Sequence, residues 1–148
     1  MFSFQLLSNP ETFSIENIRI YEICSYIASV VDIPQSGILN IAFLSDEEIR
    51  VLNNQYRSID STTDVLSFHY FDDFSSIWED EIAGEIIMSE SRIVSQAKGH
   101  HHTEREEFEI LLIHGILHIL GYDHENDTDY EQMWEFEEPT RRHFWLTK

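Results

Sequence analysis

The chain has 148 residues, with 28 Asp and Glu against 9 Lys and Arg, and a formal charge of -19 at pH 7. That length suits one domain with a real core, and 42% hydrophobic content with 13% aromatics excludes a disordered acidic tail. The most apolar stretch, Ile110 to Leu120, contains two histidines and falls well short of the roughly 20 residues needed to cross a bilayer, so no membrane span is expected.

Phe2, Phe4 and Leu6 alternate with shorter or polar neighbours and predict a first strand. From Ile15 to Val31 the apolar positions Ile20, Ile23, Cys24, Ile27, Ala28 and Val31 step by three and four, one face of a helix closed before Pro34. Ile38 to Leu44 reads as a second strand. Ser45 and Glu48 form a capping box for a short helix through Ile49, Leu52 and Tyr56. Asp64 to Tyr70 and Ile82 to Met88 are strand-like, paired across an acidic, turn-rich loop at 72–81.

Glu90 to Lys98 is helical, with Gly99 as its stop. Thr103 and Glu106 open the next helix, which runs to Leu120 and ends at Gly121; Thr128 and Glu131 open a last one, closed at Pro139. The predicted fold is α+β: a small mixed sheet of about four strands packed with about five helices, residues 1–148 forming a single catalytic domain.

The helix after Thr103 is apolar nearly all round, and from Phe108 to Leu120 its only ionisable side chains are Glu109, His114 and His118. Residues four apart share a face with Cβ atoms about 5 to 6 Å apart. Two imidazoles so placed can share one metal with bonds of about 2.0 to 2.1 Å. Gly121 allows the chain to turn back, and His124 follows three residues later, completing a candidate facial trihistidine site. The spacing H-x3-H-x2-G-x2-H resembles the ligand frame of metzincin metalloproteases, but Gly115 stands where those enzymes carry the general-base Glu. A metal-dependent hydrolase with another way of activating water is therefore expected.

The run His114-Gly115-Ile116-Leu117-His118-Ile119-Leu120-Gly121-Tyr122-Asp123-His124 resembles the H-G-x-L-H-x-x-G-Y-D-H hallmark of the YbeY family of bacterial metal-dependent endoribonucleases, also described as rRNA maturation factors. Asn53, Tyr56, Arg57 and Thr63-Asp64-Val65-Leu66-Ser67-Phe68 match a second family block, and Gly84-Glu85-Ile86 a third. The resemblance implies that His114, His118 and His124 bind one zinc ion per chain and that Arg57 lines the cleft beside it. Its planar fork would hold a phosphate and stabilise charge in the transition state. Taken alone, Arg57 reads as a surface arginine at a helix end, and only the family block gives it the other role.

Asp123 is placed either to orient an imidazole or to shape the Gly-Tyr-Asp turn. Asp64 and Glu85 are proton-shuttle candidates or strand-edge acids. Met133 and Trp134 read as core, and His69 as a cleft or strand residue. His100, His101 and His102 are contiguous, and a helix would splay them by about 100° each, so they are expected to form an exposed loop and not a second site.

Charge runs against direct RNA binding, since an acidic self-potential repels a polyanion. An RNA groove would have to gather Arg57, Arg92, Lys98 and Arg105 around the metal. Otherwise recruitment by a small-subunit ribosomal protein or an assembly GTPase, which the resemblance implies, must supply affinity. The expected function is a single-strand-preferring zinc endoribonuclease of ribosomal RNA maturation. The alternatives are a ribosome-assembly binding protein with a structural metal and a metallopeptidase whose base lies elsewhere. Nickel or copper would also accept imidazoles. A lone Cys24 and the lack of a secretory pattern in the first ten residues point to the cytoplasm.

Overall fold

The alternating and continuous apolar runs become four strands, β1 (Ser3–Leu6), β2 (Ile38–Leu44), β3 (Val65–His69) and β4 (Ile82–Ser89). The computed structural model describes residues 1–123 and 126–146. The strands hydrogen-bond in the order β1-β2-β4-β3. β1, β2 and β4 run parallel, and β3 closes one edge antiparallel to β4. Central parallel strands are covered on both faces and must be apolar throughout, which explains why six of the eight β4 residues are buried.

Five helices complete the α+β fold: α1 (Asn17–Val30), α2 (Asp46–Arg57), α3 (Glu90–His100), α4 (Glu104–Ile119) and α5 (Asp127–His143). Period-2 alternation along β4 sorts its side chains between two clusters. Ile86 and Met88 join the main core with Ile23 of α1 and Ile113 and Ile116 of α4, whereas Ile87 packs with Leu66 and Ile49 beneath α2. Among the described residues no helix is long and apolar enough to cross a membrane.

Both capping boxes expected at Ser45 and Thr103 form, each with the N3 glutamate reaching back to the cap. Three expected helix ends move. Gly99 stays inside α3, and the left-handed stop falls on His101 at φ 60°, whose N–H reaches the carbonyls of Ala97 and Lys98. The last helix is capped by Asn126, whose Oδ1 accepts from the Asp129 N–H at 2.9 Å, in place of the Thr128 and Glu131 box. Asn is the stronger N-cap and lies two residues ahead. Pro139 does not close α5, which continues to His143 because Met133, Thr140 and Arg141 are buried on either side of it, and packing offsets the lost backbone bond.

Two glycines make opposite demands. A Cβ on Gly84 in β4 would lie 2.5 Å from the Phe68 carbonyl oxygen, whereas one on Gly99 meets nothing within 4 Å. Gly84→Ala should therefore destabilise the fold by about 1–3 kcal/mol through overpacking, while Gly99→Ala should stabilise it by roughly 0.5–1 kcal/mol. Chemical denaturation of the two variants measures both shifts, and equal effects would contradict this account of the β3–β4 contact.

Candidate metal centre

Helix α4 is the buried central element that its all-round apolar sequence predicts, from Phe108 through Ile119. It docks on the sheet through Gly115: a Cβ there would stand 3.1 Å from both Ile86 Cγ2 and Ser67 Oγ. This is the position at which the peptidase frame carries its base. A Cβ here needs Ile86 and Ser67 to give by a few tenths of an ångström and would point a glutamate toward β3 and β4, so the local packing disfavours a base at that point.

His114 and His118, one position before Gly115 and Ile119, look away from that contact. Their Nε2 atoms lie 3.0 Å apart, and the ring centroids are 4.5 Å apart at 77°. Two donors bonded to one tetrahedral ion at about 2.0 to 2.1 Å are separated by about 3.3 Å, so the pair fits an imidazole-ligated divalent ion. On the far side of the His114 ring, Nδ1 lies 3.2 Å from Glu137 Oε1 of α5. Glu137 is largely buried. A carboxylate there favours the Nδ1–H tautomer and leaves Nε2 as the electron-pair donor. α4 ends as expected: Gly121 adopts φ 101° and the Tyr122 N–H returns to the Leu117 carbonyl at 3.1 Å. His124, the expected third ligand, lies outside the described residues.

The remaining candidates separate. Arg57 ends α2 and is exposed, with no ion-pair partner among the described residues. Tyr56 stacks edge-on to Phe68 at 5.4 Å, and Ile119 of α4 meets Gly84, the neighbour of Glu85, which pairs with Phe68. Tyr56, beside Arg57, and Ile119, beside His118, thus both reach the Phe68–His69 end of edge strand β3. Glu85 is turned to the α2 face, in a hollow of about 220 Å³ with Leu52, Tyr56, Phe68, Tyr70 and Ile87. There it accepts from the Tyr70 hydroxyl at 2.5 Å. Burial, and then this carboxylate, push the Tyr70 hydroxyl up to about 12. Asp64 accepts from Gln96 Nε2 of α3 at 3.3 Å. Met133 is core, but Trp134 is 38% exposed and stacks on Tyr130. His69 lies at the end of β3, exposed, with Nε2 3.6 Å from Asp72.

The basic residues do not gather. Arg92 approaches Asp46 at the start of α2, about 16 Å of helix from Arg57. Arg105 and Arg19 both bind the buried Glu109, at 2.8 and 2.6 Å.

The histidine run departs from expectation. His101 is exposed, but its left-handed backbone reverses the chain and returns His102 toward His100, with ring centroids 5.4 Å apart. The His102 side chain is only 4% exposed, and with His100 it converges on Glu107 of α4. These three side chains form a cluster able to hold a metal ion. The expectation of a wholly exposed loop with no second site assumed continuous helical geometry through His101, which the chain does not keep.

A family model described as Endoribonuclease YbeY matches residues 9–144. The chain is 31% identical over 147 residues to an Endoribonuclease YbeY of Shouchella clausii, covering 93% of this chain and 92% of that protein. It is 41% identical over 112 residues to one of Fusobacterium nucleatum, covering 74% and 68%. The solution structure of TM1509 from Thermotoga maritima aligns with a TM-score of 0.54 at 26% identity, over 97% of this chain and 91% of that one.

If Glu137 orients His114 as the distance indicates, Glu137→Gln should weaken divalent-metal affinity at the histidine pair by about 10- to 100-fold. Calorimetric titration with Zn²⁺ measures this, and unchanged affinity would remove Glu137 from the site.

Proposed function

Because this chain belongs to the Endoribonuclease YbeY family, we propose that it is a zinc-dependent, single-strand-preferring endoribonuclease acting in ribosomal RNA processing, with residues 1–148 as one catalytic domain. The observation that carries the reading is the 3.0 Å convergence of His114 and His118 Nε2 on a buried helix, backed by Glu137. His124 is assigned as the third ligand of one zinc ion per chain. A divalent ion held by three imidazoles supplies Lewis acidity toward a phosphoryl oxygen and a water-derived nucleophile near neutral pH.

The protein's own groups do the rest. Glu137 fixes the His114 ring. Arg57, exposed and uncommitted among the described residues, holds a phosphate bidentately from the α2 side of the β3 edge. Tyr56 and Tyr70, 63% and 52% exposed, offer ring faces for unstacked bases beside it, which favours a single strand over a duplex. Gly115 carries no base at the peptidase position and sits tightly against Ile86 and Ser67, which weighs against peptide hydrolysis.

Charge shapes how substrate arrives. Arg19, Arg50, Arg92, Arg105 and Arg142 all face carboxylates of the chain itself. A surface at -19 with its arginines so committed attracts RNA poorly. This favours delivery of a ribosomal RNA precursor by a bound small-subunit ribosomal protein or assembly GTPase, in the cytoplasm and without a membrane. The same observation lends weight to a second reading, a ribosome-assembly binding protein with a structural metal.

Variants separate the two. His114→Ala should abolish RNA cleavage together with metal binding at this centre. Arg57→Ala should retain metal content and melting temperature while losing cleavage by about 10²–10³-fold, as for a removed transition-state donor. Full activity in Arg57→Ala contradicts its role, and no cleavage by metal-loaded wild-type protein on single-stranded precursor supports the binding-protein reading.

A further inference from the structure

Two carboxylates are buried on α4, and they are neutralised differently. Glu109 receives two guanidinium groups, from Arg19 and Arg105. Glu107, whose side chain is 4% exposed, has neither Lys nor Arg against it among the described residues and faces only His100 and His102. A buried carboxylate left without a compensating charge is costly, so something cationic belongs there.

The donor geometry discriminates between a proton and a metal ion. His100 Nδ1 and His102 Nε2 lie 3.3 and 3.0 Å from the same oxygen, Glu107 Oε2. Those separations lie at or just below the edge of about 3.3 Å expected between ligands of one tetrahedral ion. His102 Nε2 is buried and, despite its 3.0 Å approach, lacks the alignment of a hydrogen bond to that oxygen or to any other described atom. A proton donor is poorly served by this arrangement, whereas three donor atoms within 4.8 Å of one another can share one ion. The setting also favours positive charge: His100 and His101 close the C-terminal end of α3, where the helix dipole is negative. His100 is 41% exposed, which leaves a path from solvent.

We propose that His100, His102 and Glu107 form a second divalent-metal site, distinct from the His114 and His118 centre, that clamps the end of α3 to the start of α4. Two neutral imidazoles and one carboxylate select a borderline ion such as Zn²⁺ over Mg²⁺ or Ca²⁺, which require oxygen ligands. Glu107 and His114 are seven residues apart, about 10 Å along the helix and on the same stripe. Two ions that jointly activate one phosphodiester stand about 3.5–4 Å apart, so this ion is not co-catalytic. Its effect is on the stability and setting of the helix that presents His114 and His118. The site does not depend on the proposed nuclease activity.

The test counts ions on the full-length protein, prepared without a polyhistidine tag and stripped by chelator. Titration with Zn²⁺ by calorimetry, and with Co²⁺ by its visible absorption, should give two equivalents. His100→Ala, at an exposed position that spares the fold, and Glu107→Gln should each retain one, with affinity at the altered site reduced by on the order of 100-fold or more, since even an outer partner of a ligand costs 10- to 100-fold. His114→Ala should retain the other. One equivalent in the wild type, lost in His114→Ala and kept in His100→Ala, overturns the inference and leaves the first centre intact. Two equivalents that persist in both His100→Ala and Glu107→Gln also overturn it. One equivalent lost in His100→Ala but kept in His114→Ala supports the second site and removes the first.

Discussion

The close seat of α4 against β3 and β4 at Gly115 is the constraint on which the rest depends. A helix buried on nearly every side has no solvent face to relieve a misfit, and at Gly115 even a Cβ would stand only 3.1 Å from Ile86 and Ser67, so this seat fixes both its height and its rotation. Rotation in turn decides where the ionisable stripe points. With Gly115 and Ile119 against the sheet, His114 and His118 are swung toward α5, where Glu137 waits. A bulkier residue at 115 would move the helix outward and turn both rings together, so the smallest side chain in the hallmark is what aims the two histidines.

That same burial makes the electrostatics of α4 exacting. Carboxylates in a dry interior survive only with nearby compensation. Glu109 obtains it from arginines of α1 and of its own first turn, while Glu107 meets only the imidazoles at the close of α3, and His114 meets a carboxylate of α5. Each neighbouring helix is thus tied to α4 by one polar contact as well as by apolar packing. Such contacts specify how helices meet more than they add net stability, because desolvation offsets much of the attraction.

The parts legible in sequence are those governed by local rules. The capping boxes at Ser45 and Thr103, the turn at Gly121 and the four-residue spacing of His114 and His118 are set within a few residues, and each forms. The β3–β4 hairpin was also readable, because an antiparallel pair joined by a turn-rich loop needs no distant information. Contacts between distant segments were not. The placement of β4 between β2 and β3, and the union of Arg19 with Glu109 across 90 residues, leave no local trace. The left-handed stop at His101 in preference to Gly99 belongs to the same class: packing of His102 beneath α4 overrides the intrinsic preference of glycine for that conformation. A helix cap decided from outside is what brings three donor groups together that linear spacing would scatter.

The commitment of arginines to carboxylates within the fold reaches beyond structure into solution behaviour. Among the Lys and Arg side chains of the described residues, Arg57 and Lys98 face solvent without an acidic partner. Each phosphate neutralised on a single strand contributes roughly -0.7 to the slope of log affinity against log salt. Two such contacts would give a shallow slope of about -1.4, set against a net charge of -19 whose repulsion of a polyanion is screened by salt. Salt that loosens those two contacts would also relieve the repulsion, so ionic strength would pull nucleic-acid binding in two opposing directions.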